Sequence, residues 1–565
     1  MDSKDDPSRP TWLSRIPPAR WLAEYRAAWL WSDVVAGVTL AAYAIPVSLA
    51  YAGLAGLPTQ VGIYGYLLGG LGYALLGSSR QLAIGPTSAL SLMIAGTVGA
   101  MADGDAQRYA QIASLAGFTV AALCLIAWLM RLSTLVKLIS DSILVGFKAG
   151  AGLTIALTQL PSLFGVPGGG HNFFERATLL AGQLGQVHAI VLAIGLAAVL
   201  LLVFGERLLP GRPVALGVVA ASILIASAFG LPALGVATTG HIPGGLPSLE
   251  GPTLRVRDIE GIVPLATGCL LLAYIEGVSA ARTFAAKHGY SLDPRQELLG
   301  IGAANLAAAL GHGYPVAGGL SQSAVNDKAG ARTPLALIFA SATLALCLLF
   351  LTDFLENLPK AVLAAVVLTA ISGLFDLPAL VRMWRVSRLD FYAATIALAG
   401  VLLLGILQGI LLAALASILL LLARTSRPHV AFLGRIPGTN SYSDIARHPE
   451  NEALQGVIAF RPEASLIYVN THAVLDSVLN RLRDAGPAVI HLVVCDLSAS
   501  PYIDLAGSHM LHELHSELTS RGIALRIVGA HGWVRDLLRA DGIGHKVGGL
   551  DRVMTLDDLL AVDAR

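Results

Sequence analysis

Residues 81–91 read QLAIGPTSALS, and residues 315–325 read PVAGGLSQSAV. Each stretch is apolar and extended in character, is interrupted by Gly or Pro, and runs into hydroxyl residues that open a helical pattern. The helices predicted after them, at 87–101 and 320–328, would be about 22 Å and about 13 Å long at roughly 1.5 Å per residue. Neither length crosses a hydrocarbon core of about 30 Å. The pattern therefore predicts two half-helices that begin inside a membrane.

The chain around these stretches has the composition of a protein that crosses a membrane many times. Of its 565 residues, 55% are hydrophobic and 13% are charged, and the mean hydropathy is +0.68. A spanning helix needs about 20 mostly apolar residues, and runs of that kind recur from Val34 to Leu422. The net charge of +1 gives no indication of a nucleic-acid partner.

Shifts in composition divide the chain into four regions. We predict a polar N-terminal segment at residues 1–33, a transmembrane domain at 34–423, a linker at 424–440 and a soluble domain at 441–565. The linker is assigned from the Arg, Pro and Gly residues of RTSRPHVAFLGRIPGTN, which favour irregular structure. No short apolar run with a cleavage site opens the chain, so we expect no cleaved signal peptide.

Fourteen segments of the transmembrane domain are predicted to lie in the membrane. Their ranges are 34–56, 61–77, 82–101, 109–131, 136–160, 181–204, 213–230, 261–287, 297–312, 316–328, 333–352, 358–375, 389–404 and 406–423. The number divides into seven and seven, and the two interrupted segments are the third and the tenth. An interruption at the same place in each half indicates an internal repeat, and an odd repeat length makes the two halves oppositely oriented.

The distribution of basic residues predicts the orientation. An even number of segments places both termini on one side, where the loops carry thirteen Lys and Arg residues against five in the opposite loops. The basic side of a membrane protein is the cytoplasmic one. We therefore expect a multi-pass protein of the inner (plasma) membrane with both termini and the soluble domain in the cytoplasm.

The starts of the two half-helices are predicted to bind an anion. A helix N-terminus has unpaired N–H groups and about half a positive charge, and two that face each other form an anion site. Thr87, Ser88, Ser321 and Ser323 occupy N-cap or first-turn positions, where their hydroxyls would bind the same anion. The alternative is that they are ordinary caps and small packing residues of a helix bundle.

Glu276, near the middle of the eighth segment, is a candidate proton site because intramembrane carboxylates are costly and usually functional. An ionised Glu about 8 Å from a dianion would repel it by roughly 4 kcal/mol at an effective dielectric constant of about 20. The anion is therefore predicted to bind together with a proton on Glu276. The alternative is a structural pair with Lys148 of the fifth segment, which would otherwise add positive charge to the site or extend to the interface.

These features resemble the SulP family of sulfate and anion permeases. The resemblance lies in SDVVAGVTLAAYAIPVSLAYAGLAGLP (32–58), LLGSSRQLAIGPTSAL (75–90) and GYPVAGGLSQSAVNDKAGART (313–333), together with the C-terminal domain. It implies a polytopic α-helical fold of fourteen spans in a seven-plus-seven inverted repeat like that of the uracil permeases. Segments 1–4 and 8–11 would form a core domain and the others a gate domain, with elevator-like transport in a homodimer.

The resemblance also assigns site residues. Tyr43, Pro46, Thr87, Ser88, Ser321, Gln322 and Ser323 fall on the family's substrate site, and Glu276 resembles the acid of its proton-coupled sulfate symporters. Two positions depart from the pattern, because Val47 replaces a frequent Gln and Gln322 replaces a frequent Arg. The sequence therefore identifies the family more firmly than the substrate.

The soluble domain resembles a STAS domain, a small α/β unit. Its predicted strands are LIYVN, VIHLVVCDLS and ALRIVGA, and its predicted helices are 472–485 and 505–521, the second capped by Asp504. Leu505 stands where bacterial anti-sigma antagonists carry a phosphorylatable Ser, which favours dimerisation or regulation over a phosphoswitch. His509, His512 and His515 are interpreted as part of a solvated helix face and not as a metal site.

The function predicted from these features is secondary active transport of sulfate or a similar inorganic oxyanion, coupled to protons. The alternatives are a bicarbonate or C4-dicarboxylate carrier that is Na⁺-coupled or exchanging, and an anion channel. No ATP-binding loop or HExxH motif is present, so an enzyme is not expected. The expected partners are the anion, protons, the lipid bilayer and a second copy of the chain, with no cofactor, metal or nucleic acid.

Overall fold

A computed structural model describes residue 21 and the ranges 25–132, 140–170, 172–209, 214–253, 255–485 and 490–563. The predicted N-terminal segment lies mostly outside the described residues, as do Lys137 and Arg212, two of the basic residues in the orientation count. The chain forms two compact units, residues 1–417 and 418–565. Each unit has a hydrophobic core of its own.

The described residues from 30 to 228, the first half of the membrane unit, form eight α-helices and one short strand. In chain order they are α1 (Leu30–Leu54), α2 (Gln60–Leu76), β1 (Ile84–Gly85), α3 (Ser88–Ala102), α4 (Ala106–Leu129), α5 (Asp141–Phe164), α6 (Phe173–Gln183), α7 (Ala189–Leu208) and α8 (Val214–Ala228). The side of the membrane at which α1 begins is called the terminal side below, and the opposite side the distal side.

The second half repeats this arrangement. Its elements are α9 (Ile259–His288), α10 (Pro294–Leu310), β2 (Ala317–Gly318), α11 (Leu320–Lys328), α12 (Leu335–Phe350), α13 (Thr352–Leu355), α14 (Lys360–Ile371), α15 (Leu377–Val386), α16 (Arg388–Leu404) and α17 (Ile406–Ser426). Apart from the short α6, α13 and α15, these helices correspond one to one to the fourteen predicted segments. Seven helical stretches of the described chain are long and apolar enough to cross a membrane.

The predicted start of the sixth segment, residue 181, is wrong. Residues 173–183 form the separate helix α6, whose N-cap Asn172 accepts a hydrogen bond from Glu175 N at 2.9 Å. A short 3₁₀ turn follows, and the spanning helix α7 begins only at Ala189. The error arose because Leu179, Leu180 and Leu184 extend the apolar run across a turn that hydropathy alone does not detect.

The spanning helices pack as two groups. In the core group, α10 packs against α2 and α4, α12 against α1 and α2, and α9 against α4. In the gate group, α16 packs against α5, α14 against α5 and α7, and α7 against α8. α1 belongs to the core group and also contacts α8 and α14 of the gate group. This division agrees with the core and gate domains that the resemblance implies.

The two interrupted segments meet at a ladder of two short strands. β1 and β2 pair in antiparallel orientation, with Ile84 opposite Gly318 and Gly85 opposite Ala317. Both strands are fully buried, as backbone outside a helix must be at membrane depth. Because the strands are antiparallel, α3 and α11 start at opposite ends of the same ladder and run towards opposite sides of the membrane. The short strands and half-helices predicted from sequence are thus confirmed.

The second unit is built on a five-stranded sheet with the order β4-β3-β5-β6-β7. Its elements are β3 (Val430–Arg435), β4 (Tyr442–Asp444), β5 (Val457–Pro462), α18 (Thr471–Asp484), β6 (Leu492–Asp496), α19 (Leu505–Ser520), β7 (Ala524–Val528), α20 (Gly532–Ala540), α21 (Ile543–Lys546) and α22 (Leu556–Asp563). β5, β6 and β7 are parallel, and the connections between them carry α18 and α19. Asp504 caps α19 by accepting a hydrogen bond from Gly507 N at 2.9 Å, as predicted.

Two sequence-based assignments in this unit are corrected by the structure. The stretch predicted as a linker, 424–440, contains β3, whose Ala431 and Leu433 are buried against the sheet. LIYVN is not a strand, because Asn470 closes it into a turn by accepting from Ile467 N at 3.0 Å and donating to Ser465 O at 2.9 Å. The central strand is instead β5, just upstream.

Candidate anion-binding site

The two half-helices begin in the interior of the core group. Thr87 precedes α3 with an extended backbone, and Ser91 N donates to Thr87 O at 2.9 Å. In α11, the corresponding bond runs from Ser323 N to Gly319 O at 3.0 Å. The N–H groups of residues 88–90 and 320–322 precede these bonds, at the positions where a helix start has no intrahelical acceptor. Both helix starts therefore carry partial positive charge at the level of the ladder.

The hydroxyl groups at the start of α3 differ in their contacts. Thr87 Oγ1 is buried and has no hydrogen-bond partner among the described residues. Ser88 is buried, and its side chain interacts with that of Tyr51 on α1. Thr87 thus offers an unpaired, buried hydroxyl beside the helix start, where it could donate a hydrogen bond to an anion.

Gln322 and Ser323 contact the protein rather than open space. The Gln322 amide nitrogen donates to Ala83 O at 2.9 Å and Ala317 O at 3.0 Å, and its oxygen accepts from the Tyr66 hydroxyl. The Ser323 hydroxyl accepts from Ala83 N at 2.9 Å. Both side chains are buried and fasten α11 to the strands. An Arg at position 322 could not accept the bond from the Tyr66 hydroxyl, because a guanidinium has no acceptor.

Ser321, in contrast, lines a cavity of about 360 Å³ that lies between the core and gate groups. The cavity also contacts Tyr43 and Val47 of α1, and it extends to the terminal side along α7, α8 and α14. Pro46, one residue from Val47, lies inside α1 and is buried. Because Pro has no N–H, one carbonyl of the preceding turn loses its helical partner near the site.

Glu276 is placed next to the half-helix α11 by a close approach of two glycines. A Cβ atom on Gly318 would lie 3.0 Å from Gly277 Cα and 2.8 Å from a Leu82 methyl. Only Gly therefore allows α9 to pack this closely on β2. Glu276, the residue before Gly277, is half-buried at this contact.

Lys148 interacts electrostatically with Glu276 from the gate group. It lies on α5 and is half-buried. Among the described residues no ion pair within 4.0 Å joins it to a carboxylate. The charge interaction therefore crosses between the core and gate groups without forming a fixed salt bridge.

Several polar residues that the sequence analysis missed hold the strands in place. The fully buried Asn305 donates from its amide nitrogen to Val316 O at 3.0 Å and accepts from Val316 N at 3.0 Å. Tyr314 and Ser91 share a hydrogen bond of 2.9 Å. A lone Asn in the apolar run AANLAAAL was the available signal, because a polar residue in such a run usually has a specific partner.

The sequence analysis also missed a fully buried acid, Glu297. Its carboxylate accepts from the Tyr73 hydroxyl at 2.9 Å, from Ser78 N at 2.9 Å and from the Ser78 hydroxyl at 2.6 Å. These bonds fix the GSSRQ loop that leads into β1, and Tyr290 joins it by donating to Gln81 Oε1 at 2.9 Å. Glu297 therefore supports the loop, whereas Glu276 lies at the half-helix.

Comparison with protein families gives two matches. A family model described as the sulfate permease family matches residues 30–397, and a STAS domain model matches residues 448–557. The second match begins after β3 and β4.

Curated relatives match along most of the chain. A probable sulfate transporter of Mycobacterium tuberculosis (strain CDC 1551 / Oshkosh) is 35% identical over 533 residues, which cover 94% of this chain and 95% of the relative. The chloroplastic sulfate transporter 4.1 of Arabidopsis thaliana is 31% identical over 569 residues, covering 95% of this chain and 81% of the relative.

Solved structures share the fold at lower identity. The murine solute carrier 26 family member A9 anion transporter in the inward-facing state aligns with a TM-score of 0.89 at 21% identity, covering 100% of this chain and 97% of that one. The transmembrane domain of the cyanobacterial bicarbonate transporter BicA aligns with a TM-score of 0.60 at 20% identity, covering 70% of this chain and 98% of that one.

Proposed function

The chain belongs to the sulfate permease family, and from this premise we propose that it takes up sulfate or a similar inorganic oxyanion in symport with protons. Membership confirms the resemblance seen in the sequence. The matched relatives are named as transporters, so we expect a transporter and not an enzyme. We choose sulfate as the proposed substrate because curated relatives that match along nearly the whole chain are named as sulfate transporters.

The observation that carries the proposal is the pair of half-helix starts on one buried ladder. Two helix N-termini at the same depth provide N–H donors and positive charge for an oxyanion. Thr87, Ser88 and Ser321 would add hydroxyl donors, and Tyr43 and Pro46 would form the wall on α1. Gln322 and Ser323 would act by holding α11 against β1.

Glu276 would carry the proton. A carboxylate beside an incoming dianion is repelled unless it is protonated, so anion and proton would bind together. Lys148 faces Glu276 from the gate group, and a movement between the groups would change their separation. Such a movement would couple the charge on Glu276 to the position of the core group.

We propose an elevator-like movement of the core group against the gate group. The cavity at Ser321 lies between these groups and leads to the terminal side, which we assign to the cytoplasm from the excess of basic residues in its loops. The core group would carry the anion towards the distal, external side and back. As the resemblance implies, the working unit would be a homodimer.

The test is uptake into proteoliposomes with labelled sulfate, bicarbonate and succinate in turn, with and without an inward proton gradient. We expect saturable accumulation of sulfate above its equilibrium level, driven by the gradient. Accumulation of bicarbonate or succinate instead, driven by Na⁺ or by exchange, would show that the proposed substrate and the proposed proton coupling are wrong. Equilibration without accumulation would indicate a channel.

A further inference from the structure

A second cavity opens on the distal side of the membrane unit. It has a volume of about 870 Å³ and lies between the core and gate groups. The core group contributes the end of α1 and parts of α2 and α3, including Gln60 and Leu92. The gate group contributes the end of α5, the loop 166–170 and the starts of α6 and α14.

Three basic side chains from three separate elements line this cavity. They are Arg176 of α6, His241 of the 231–258 connection and Lys360 at the first position of α14. None of the described lining residues is an Asp or a Glu. Lys360 also stands at a helix start, so the positive end of α14 adds to its charge.

The backbone around two of these residues is held in place. Arg176 Nε donates to Gly170 O at 3.0 Å, which ties the side chain to the glycine loop. That loop is fixed by Gln183, whose amide exchanges hydrogen bonds of 2.9 Å and 3.0 Å with Gly168 N and Gly168 O. Lys360 N donates to Ala237 O at 2.9 Å. The Arg176 guanidinium and the Lys360 backbone therefore have defined positions at the cavity.

The positive charge of this cavity is specific to the distal side. The cavity on the terminal side is lined by one acid, Glu206, and one base, Lys328, which balance. The distal loops contain only five Lys and Arg residues, as expected if basic residues concentrate on the cytoplasmic side. Two of these five, Arg176 and Lys360, line this cavity. Glu175, the neighbour of Arg176 on α6, lies outside the cavity lining, although its charge interacts with that of Arg176.

We propose that the distal cavity is an outer anion-binding site at which Arg176 and Lys360, assisted by His241, collect a doubly charged oxyanion before it reaches the half-helices. This inference rests on the proposed function and on the external location of the distal side. A cleft lined by one sign of charge raises the local concentration of a counter-ion and its rate of association. The outer site would increase the rate at which external substrate binds, and it would leave the later transport step unchanged.

The test compares Arg176→Gln, Lys360→Gln and the double variant with the wild-type protein in proteoliposomes of defined orientation. At low ionic strength we expect the double variant to raise the KM for external sulfate about threefold to tenfold, with kcat unchanged. The increase should be smaller for a singly charged anion and should shrink in high salt, since mobile ions screen such attraction. The KM for efflux from the opposite side should not change.

The matched control is Arg257→Gln, which removes an exposed basic residue of the same side that does not line the cavity. An equal rise in KM in this variant, or an unchanged KM in the double variant, would overturn the outer site. An unchanged efflux rate also shows that the double variant is folded. If wild-type vesicles accumulate none of the three anions, the proposed function is wrong, and the proposal of an outer site is then wrong as well.

Discussion

Ser321 and Gln322 are adjacent residues of α11 that were both predicted to bind substrate, yet their side chains have different surroundings. Ser321 is exposed to the cavity between the core and gate groups, whereas Gln322 is buried and bonded to Ala83, to Ala317 of β2 and to Tyr66. Successive residues of a helix point about 100° apart, so one can face a cavity while the next packs inward. The motif located the half-helix, and the packing around it separated the two roles.

The contrast between these neighbours gives the first prediction. Gln322→Leu should lower the free energy of unfolding by about 1–3 kcal/mol, because the buried carbonyls of Ala83 and Ala317 and the Tyr66 hydroxyl lose their partner. Ser321→Ala should leave the melting temperature in detergent unchanged and raise the KM for the anion. A Gln322→Leu protein with unaltered melting would show that the side chain does not hold the strands.

The second prediction separates the roles of Glu276 and Glu297. Glu276→Gln should abolish the dependence of uptake on a proton gradient while leaving the melting temperature close to that of the wild type. Glu297→Gln should keep the gradient dependence but melt earlier, because a carboxamide cannot accept all three hydrogen bonds from Tyr73 and Ser78. Gradient-driven uptake that persists in Glu276→Gln would move the proton site elsewhere.

At the scale of elements, helix lengths decide what each segment does. α3 and α11 have 15 and 9 residues, which are too few to cross a membrane. The strand before each helix, β1 or β2, supplies the rest of the segment within the membrane. α16 and α17 are separated only by Gly405, which has φ 95° and ψ 170°. This region of backbone space is essentially restricted to Gly, so a single residue turns the chain between two spanning helices.

The third prediction concerns this turn. Gly405→Ala should destabilise the membrane unit by about 1–3 kcal/mol, because a Cβ is strained in that conformation. Gly217→Ala is the matched control, since Gly217 lies within helix α8 and a Cβ there would meet no atom within 4 Å. The control should be neutral or stabilising by up to about 1 kcal/mol. Thermal unfolding of both proteins in the same detergent gives the comparison, and equal melting temperatures would contradict the assigned strain.

At the scale of the whole molecule, the chain consists of two units with separate hydrophobic cores. The membrane unit is stabilised by close helix packing and by polar side chains that satisfy buried backbone groups. The second unit is a five-stranded sheet with helices packed on it around its own core. A change in one core is therefore expected to affect mainly the unit that contains it.

The fourth prediction tests this independence with Asp444, at the end of β4. Burial opposes its charge, but hydrogen bonds from His429 and Ala446 N outweigh burial and lower the pKa of the carboxyl. A lowered pKa stabilises the fold above the pKa of the unfolded chain, and this stabilisation is lost as pH falls through the folded value. Asp444→Asn should therefore cost the soluble unit about 1–3 kcal/mol at neutral pH and progressively less in acid.

The measurement is the unfolding of the full-length protein followed by probes in each unit. The membrane unit should keep its transition in Asp444→Asn. The control Asp536→Asn breaks only an exposed pair with Arg539 at 3.8 Å and should change stability by less than about 1 kcal/mol. If Asp444→Asn loses as much stability in acid as at neutral pH, the charge of Asp444 is not what stabilises the second unit.

The sequence by itself determined the number of segments, the third and tenth interruptions and the family, because each depends on hydropathy or on a local motif. Only the tertiary structure separated α6 from α7 and placed β3 inside the predicted linker. It also showed that Gln322 is buried whereas Ser321 faces a cavity. It also placed Glu297 in a loop network, and brought Arg176 and Lys360 to one cavity from helices distant in sequence. Hydropathy follows from local composition, whereas the partner of a buried polar group depends on which distant segment packs against it.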